Sequence, residues 1–500
     1  MKVSKDLVIN SVLTVLYAIF TLIVVFHHEI WADEAQVWQL CRHLSLVGLF
    51  QHLTNEGHPA FFYLLNMPFA KLGFSAMPMQ LICWLSSCLA VFLLLQFSSF
   101  NRFAKFAIVM SAGFLYFFPV IARSYSLLPI MVFLLAIFYP KSDKHPYIYA
   151  SLLFLTANTH VIMLGFVGIL GCLFVYENIF VKWKQLEKQD KINFFSSAFI
   201  IFFGIFLVWL QLHGTLGSNS LIKIRLENIP YNIFSTVIKF FVNNVDASYS
   251  EVLKLMLPDS LVLTFLTSVF LYLSFFVTLF FSSRKMFLVA FCGIFFQFFI
   301  YVVSYHYVIL VPRVFSSHLI FLFAFWIVLS QKDVNKILRN IINITVAIFF
   351  LITTINGLKS AILDIRYNYS GAKVTAQFIE KNINKDNSLI ISDNAPYCIS
   401  LIYYLDGAYN IFSARHKQNI KYVVWDSTLM MLMSGNKWTK YIEYMRAQDS
   451  QFKTKKIYAV ISTFNTDVLK VGQLTDFKMI YQSPPNILKY EGYRVYEYMK

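Results

Sequence analysis

The sequence predicts a polytopic α-helical membrane protein of about eleven transmembrane helices, with interfacial helices and a C-terminal soluble α/β domain. Three observations carry that prediction. Of the 500 residues, 58% are hydrophobic and only 14% charged, whereas a soluble domain carries roughly 25% charged residues. Mean hydropathy is +0.60. The charges crowd into short loops and the C-terminal third, leaving long apolar runs elsewhere. Low Gly (17) and Pro (13) counts beside 53 Phe exclude fibrous and disordered chains.

A helix needs about 20 apolar residues to cross the hydrocarbon. Such segments run near 7–27, 78–97, 105–121, 124–139, 147–160, 161–179, 193–212, 258–281, 286–304, 314–330 and 341–358. The first is too long for a signal-peptide core and reads as an uncleaved anchor. The segment 58–73 is apolar but short and interrupted by Pro59 and Pro68, so it reads as an interfacial or re-entrant helix.

Cytoplasmic loops concentrate Lys and Arg. With the N-terminus inside, the inner segments hold fifteen basic residues, among them Lys182, Lys184, Lys188 and Lys191, while the much longer outer segments before the tail hold eight. The net charge of +16 is therefore mostly topological and calls for no nucleic acid. The layout gives a transmembrane catalytic domain over 1–359, with outward loops at 28–77 and 213–257, and an extracytoplasmic α/β domain over 360–500. In that domain SLIIS at 388, YVVW at 422 and KIYAVIS at 456 read as strands, and 371–383 and 438–448 as helices. No Gly-rich phosphate loop occurs in it. Asp393, Tyr397, Arg415 and Trp425 have ordinary structural explanations. Four of the six cysteines, Cys83, Cys88, Cys172 and Cys292, fall within spans and read as small buried hydrophobes.

The stretch from Trp31 to Leu65 is the most informative. Asp33 and Glu34 stand where the first span leaves the membrane, with His27 and His28 marking where that helix reaches water. Carboxylates at a membrane boundary are either helix caps or functional groups. Residues 35–53 then read as one amphipathic helix lying flat on the membrane surface. Glu56-Gly57-His58-Pro59 follows, with Gly57 permitting a tight turn and Pro59 restricting His58. Among outward cations Arg123 and Arg313 suit a phosphate through the planar guanidinium fork, whereas Arg42 and Lys71 are better explained by snorkelling. His160 lies at an outer turn between two spans. A divalent metal on Asp33, Glu56 or His58 is a minority reading, since no His-x-x-x-His or similar ligand pair occurs.

DEAQVW (33–38), NEGHPAFFYLL (55–65), VIARSYSLLP (120–129) and ANTHV (157–161) together resemble the membrane glycosyltransferases of the GT-C class. The nearest branch is the bacterial one grouped with glycosyltransferase family 39, which is related to protein O-mannosyltransferases and to the aminoarabinose transferase of lipid A. The resemblance is in motifs up to about residue 165 and in topology beyond. It implies a GT-C fold in the cell (inner or plasma) membrane, with Asp33 as catalytic carboxylate and Glu34 beside it. It also implies a polyprenyl-phosphate-linked sugar donor, and an acceptor that is a cell-surface glycan, lipid or protein. Glu56, His58, Arg123, Tyr125, His160 and Arg313 are the expected substrate contacts. Attack on the anomeric carbon from the side opposite the leaving phosphate implies inversion. The rivals are a lipid-linked saccharide flippase, an oligosaccharyl-type transferase or polymerase with a lipid diphosphate donor, and a non-catalytic scaffold. Acids avoid the mid-depths of the spans and no internal repeat is evident, which disfavours transport.

Overall fold

The computed structural model describes residues 5–213, 229–245, 261–303, 311–392, 395–405, 407–414, 416–425, 435–463, 474 and 476–500. Much of the expected second outer loop, Asp393, Arg415 and the side chain of Tyr397 lie outside the described residues.

The first crossing is α1 (Lys5–His27), and the loop after it folds as α2 (Ala32–His43), α3 (Leu46–Glu56) and α4 (Phe61–Lys71). The bundle continues with α5 (Met77–Phe97), α6 (Arg102–Val109), α7 (Phe118–Val120), α8 (Leu128–Phe138), α9 (Pro146–Thr159), α10 (Leu164–Val175) and α11 (Lys188–Leu212). It closes with α12 (Ile229–Val245), α13 (Leu261–Ser282), α14 (Arg284–Val303), α15 (Val311–Ser330), α16 (Lys336–Ile352) and α17 (Thr354–Arg366). Among the described residues nine helices are long and apolar enough to cross a membrane, or ten if Arg102–Val109 and Gly113–Val120, bent by 51°, form one span. That bend falls at residues 110–112, immediately before a π-helical turn, Gly113–Phe117.

The remaining expected crossing, 147–160, is the 14-residue helix α9. Its rise is about 21 Å, short of the ~30 Å hydrocarbon, because His160 leaves helical geometry at φ −155°, ψ 132°. At 11 residues, α4 is shorter still, as the broken pattern of 58–73 predicts. The spans share one aromatic and aliphatic core. Helix α15 runs through its middle with 94% of its apolar window buried, whereas α1, α11 and α13 turn residues such as Leu16, Phe199 and Phe270 outward, as a lipid-facing surface does.

Helix α17 carries the last span to Arg366, past the expected domain junction at 359. Beyond it lie α18 (Ala372–Asn382), β1 (Ser388–Ser392), α19 (Ala395–Leu405), β2 (Ile411–Ser413), β3 (Gln418–Asn419), α20 (Gly435–Gln448), α21 (Ser450–Thr454), β4 (Lys456–Ser462), β5 (Phe477–Gln482) and β6 (Tyr493–Tyr498). The strands form one sheet in the order β3-β2-β1-β4-β6-β5, with β1 parallel to β2 and β4 and β6 antiparallel to β4 and β5. Side chains alternate along each strand. Ile457, Ala459 and Ile461 therefore pack with Trp438 and Ile442 of α20 on one face, and Tyr458 and Val460 pack on the other.

That second face shares one continuous core with α2, including Ala35, Val37 and Trp38. Residues Glu34 through Cys41 are all buried, so α2 is an internal helix under the soluble domain and does not lie on the membrane surface. The amphipathic stretch is also two helices, not one. Ser45 starts α3 by accepting a hydrogen bond from the Gly48 amide at 3.1 Å, and Gly57 ends it at φ +71°, a conformation that costs glycine little. The exposed apolar side chains belong to α3, at Leu46, Val47 and Phe50. Tyr422–Trp425 is in no strand. Val423 pairs instead with the Gln36 side chain, receiving an amide hydrogen bond at 3.0 Å and donating one at 2.8 Å.

Candidate functional site

Asp33 is the second residue of α2. Its side chain is 35% exposed beside the 7% exposed Arg123, whose Nη2 lies 3.6 Å from Asp33 Oδ2. Arg123 sits in extended backbone (φ −130°, ψ 164°) just ahead of the short helical turn Ser124–Leu127, so its side chain turns back toward α2. Its Nη1 donates to the Asp33 carbonyl at 2.5 Å, and its Nη2 donates to His58 Nε2 at 3.1 Å. A guanidinium has no acceptor. His58 is therefore neutral, with its proton on Nδ1.

The His58 ring meets His160 edge to face at 4.9 Å, and Tyr125 lies 6.4 Å from His160. Burial holds both imidazoles well below their usual range, and positive charge adds to it: His160, Arg123 and Arg313 act on His58, and Arg313 and Arg123 act on His160. Arg313, in the first turn of α15, is 4% exposed. Two arginines and two neutral imidazoles thus form a buried, positively charged wall behind one partly open carboxylate.

Glu34, although adjacent to Asp33, has a different environment. It is fully buried, and its Oε1 accepts from the Ala122 amide at 2.6 Å, pinning the segment that carries Arg123. Its Oε2 meets His28 Nε2 at 3.3 Å, and His28 Nδ1 meets Asp364 Oδ2 at 2.7 Å. Tyr116 also donates to Asp364 Oδ2, at 2.8 Å. Burial alone would depress the His28 pKa, but the Asp364 and Glu34 carboxylates outweigh it and raise it to about 10. His28 is thus a buried imidazolium joining the ends of α1 and α17 to the loop, where the sequence reading placed it at the water boundary. Packing of the soluble domain over the loop is what removes it from water.

Glu56 is bound into the join between α3 and the soluble domain. Its Oε1 accepts from Gln36 Nε2 at 2.7 Å, Trp425 Nε1 at 2.8 Å and His52 Nε2 at 3.1 Å, tying α3 to the soluble domain. The structure therefore brings Asp33, His58, Arg123, Tyr125, His160 and Arg313 together and leaves Glu34 and Glu56 as braces. Among the described residues no group of three or more His, Cys, Asp or Glu is placed to hold a metal ion.

Residues that are not among the expected site residues complete the frame: His28, Asp364, Glu29, Tyr404 and Glu491. Ser370 donates its amide to Glu29 Oε2 at 3.2 Å, Ile30 donates to the Tyr404 hydroxyl at 2.6 Å, and Ala32 donates to Glu491 Oε1 at 2.8 Å. Only Asp364 had a signal in the sequence, as a lone acid at the end of the last apolar helix, a position where an acid is rarely idle.

No protein-family model and no curated protein matches the chain. Among solved structures it is similar to ArnT from Cupriavidus metallidurans bound to undecaprenyl phosphate, with a TM-score of 0.52 at 10% identity over 98% of this chain and 97% of that one. The chain has the GT-C fold of membrane glycosyltransferases.

Proposed function

We propose that this protein is an inverting glycosyltransferase of the inner membrane that moves a single sugar from a polyprenyl-phosphate donor to a hydroxyl or amine on a cell-surface lipid, glycan or protein. The observation that carries this reading is the pairing of a partly open carboxylate, Asp33, with the buried cationic wall of Arg123 and Arg313. The fold of a protein whose crystal structure holds undecaprenyl phosphate supports the donor class.

In the proposed reaction the acceptor O–H or N–H gives its proton to an Asp33 oxygen while the acceptor atom attacks the anomeric carbon. Such general-base assistance is typically worth about 10²- to 10⁴-fold. The new bond to the anomeric carbon forms as the bond from that carbon to the phosphate oxygen breaks, and the electron pair leaves with the lipid phosphate. The phosphate needs no proton, only donors aimed at its growing charge. In this reading the Arg123 and Arg313 guanidinium groups supply them, and Glu34 keeps Arg123 in register through Ala122.

Sugar transfer from a radiolabelled polyprenyl-phosphate donor, measured in membranes carrying the wild type or Asp33→Asn, tests the reading. Loss of transfer in the variant is expected. Undiminished transfer would remove Asp33 as the base, and saccharide transport that continues when lipid phosphate is depleted would favour a carrier.

A further inference from the structure

We propose that Glu491 is a positioning residue of the soluble domain that caps the first turn of α2 and so sets the direction in which Asp33 points. This inference rests on the reading of Asp33 as the base.

The first amides of a helix have no acceptor within it, and the residue before the helix usually supplies one from a Ser, Thr, Asp or Asn side chain. Trp31 occupies that place in α2 and makes no such bond. The Ala32 amide is taken instead by Glu491 Oε1 at 2.8 Å, from a residue 459 positions away. The amide so held lies one residue before Asp33. On the other side, Arg123 holds the Asp33 carbonyl. The Asp33 side chain is partly exposed, with Arg123 Nη2 3.6 Å from its Oδ2, so its aim depends on this ion pair together with the two backbone restraints.

Glu491 is itself fixed. It is fully buried, and its amide donates to the Leu488 carbonyl at 2.8 Å. Its carbonyl accepts from the Gly371 amide at 2.8 Å. A Cβ on Gly371 would stand 2.8 Å from that carbonyl oxygen, so only glycine allows the approach. Just upstream, Ile487 and Leu488 donate to the carbonyls of Asn368 and Tyr369, each at 3.0 Å. Backbone bonds therefore lead from the segment after α17 to Glu491, and the Glu491 side chain makes the last link, to the turn that carries Asp33. The GT-C-like bundle and the soluble domain meet at that turn, which gives the domain a direct part in aligning the base.

The test uses the full-length protein in detergent, with Glu491→Ala and Glu491→Gln compared by transfer kinetics and by hydrogen–deuterium exchange of a peptide covering residues 30–36. Glutamine keeps an acceptor oxygen for Ala32, and alanine does not. Glu491→Ala should lower kcat by about 3- to 10-fold, the worth of one hydrogen bond, with KM for the donor unchanged and exchange at Ala32 accelerated. Glu491→Gln should restore both readouts. Wild-type kcat and exchange in Glu491→Ala, or equal damage in Glu491→Gln, would overturn the proposal. Asp33→Asn run in parallel separates the two claims: if it keeps full transfer, the base assignment fails, and exchange at Ala32 still decides whether Glu491 holds the turn.

Discussion

Replacing His28 by Gln removes the imidazolium whose two N–H groups are spent on Asp364 Oδ2 at 2.7 Å and Glu34 Oε2 at 3.3 Å. All three side chains are inaccessible to solvent. Two carboxylates would then share a buried site with no cation between them, keeping the Tyr116 hydroxyl on Asp364 and the Ala122 and Trp31 amides on Glu34. Breaking a buried ion pair by removing one partner costs about 3–5 kcal/mol. One kcal/mol moves the unfolding midpoint by roughly 2–4 °C in chains of about 150–250 residues, and by less in longer ones, so a drop of several degrees is expected.

The assay is thermal unfolding of the detergent-solubilised protein, with Asp364→Asn and the double variant completing a cycle. The double variant should lie above the sum of the two singles, because Asp364→Asn removes one of the two carboxylates that His28→Gln strands. The pH dependence has a definite sign. With its folded pKa raised to about 10, His28 contributes stability that is fully present below about 6.5 and is lost as pH rises through 10. The difference between wild type and His28→Gln should therefore shrink across that window. A variant with the wild-type midpoint, or additive singles, would refute the bridging role.

Glu491 titrates with the opposite charge sign. Burial pushes its pKa to about 7 against the bonds from Ser370, Ala32 and Ser400, and the Asp33 charge adds to the rise. A raised acid favours the folded state only while protonated, so its contribution is largest below about 4.5 and declines as pH rises to about 7; the wild-type midpoint should lose this downward slope in Glu491→Gln. Arg123→Lys keeps the charge but cannot reproduce the fork that spans the Asp33 carbonyl and His58 Nε2. Steady-state kinetics should show the donor KM raised about 10- to 100-fold, and an unchanged KM would remove Arg123 from the donor site. Gly357→Ala places a methyl 2.6 Å from the Ala112 Cα, so α17 must shift from the π-helical turn at about 1–3 kcal/mol; a wild-type unfolding midpoint would contradict that close approach.

The spans were legible because a 20-residue apolar run has few other uses in a protein, and both β1 and β4 fall on the expected strands 388–392 and 456–462. The cluster around Asp33 was legible in composition: Arg123, His58 and His160 are polar groups at the ends of apolar segments. What the sequence hides is long-range partnership. Helix α2 has an amphipathic pattern, yet its polar Gln36 faces another protein surface, the Val423 backbone. Periodicity distinguishes polar from apolar faces but not water from a docked domain. His28 and Glu491 carry no local signature for the same reason, since each acquires its role from a partner more than 300 residues away. The neighbouring acids Asp33 and Glu34 look alike in sequence and differ only in which one the fold covers.

In the proposed reaction Asp33 faces the sugar while Arg123 and Arg313 hold the phosphate of one bound donor. A structure of the full-length protein with a polyprenyl-phosphate sugar bound would decide this. Phosphate oxygens are expected within hydrogen-bond reach of both guanidinium groups, about 3 Å, with an Asp33 oxygen on the side of the anomeric carbon opposite the phosphate. A phosphate bound away from Arg123, or a sugar turned from Asp33, would contradict it.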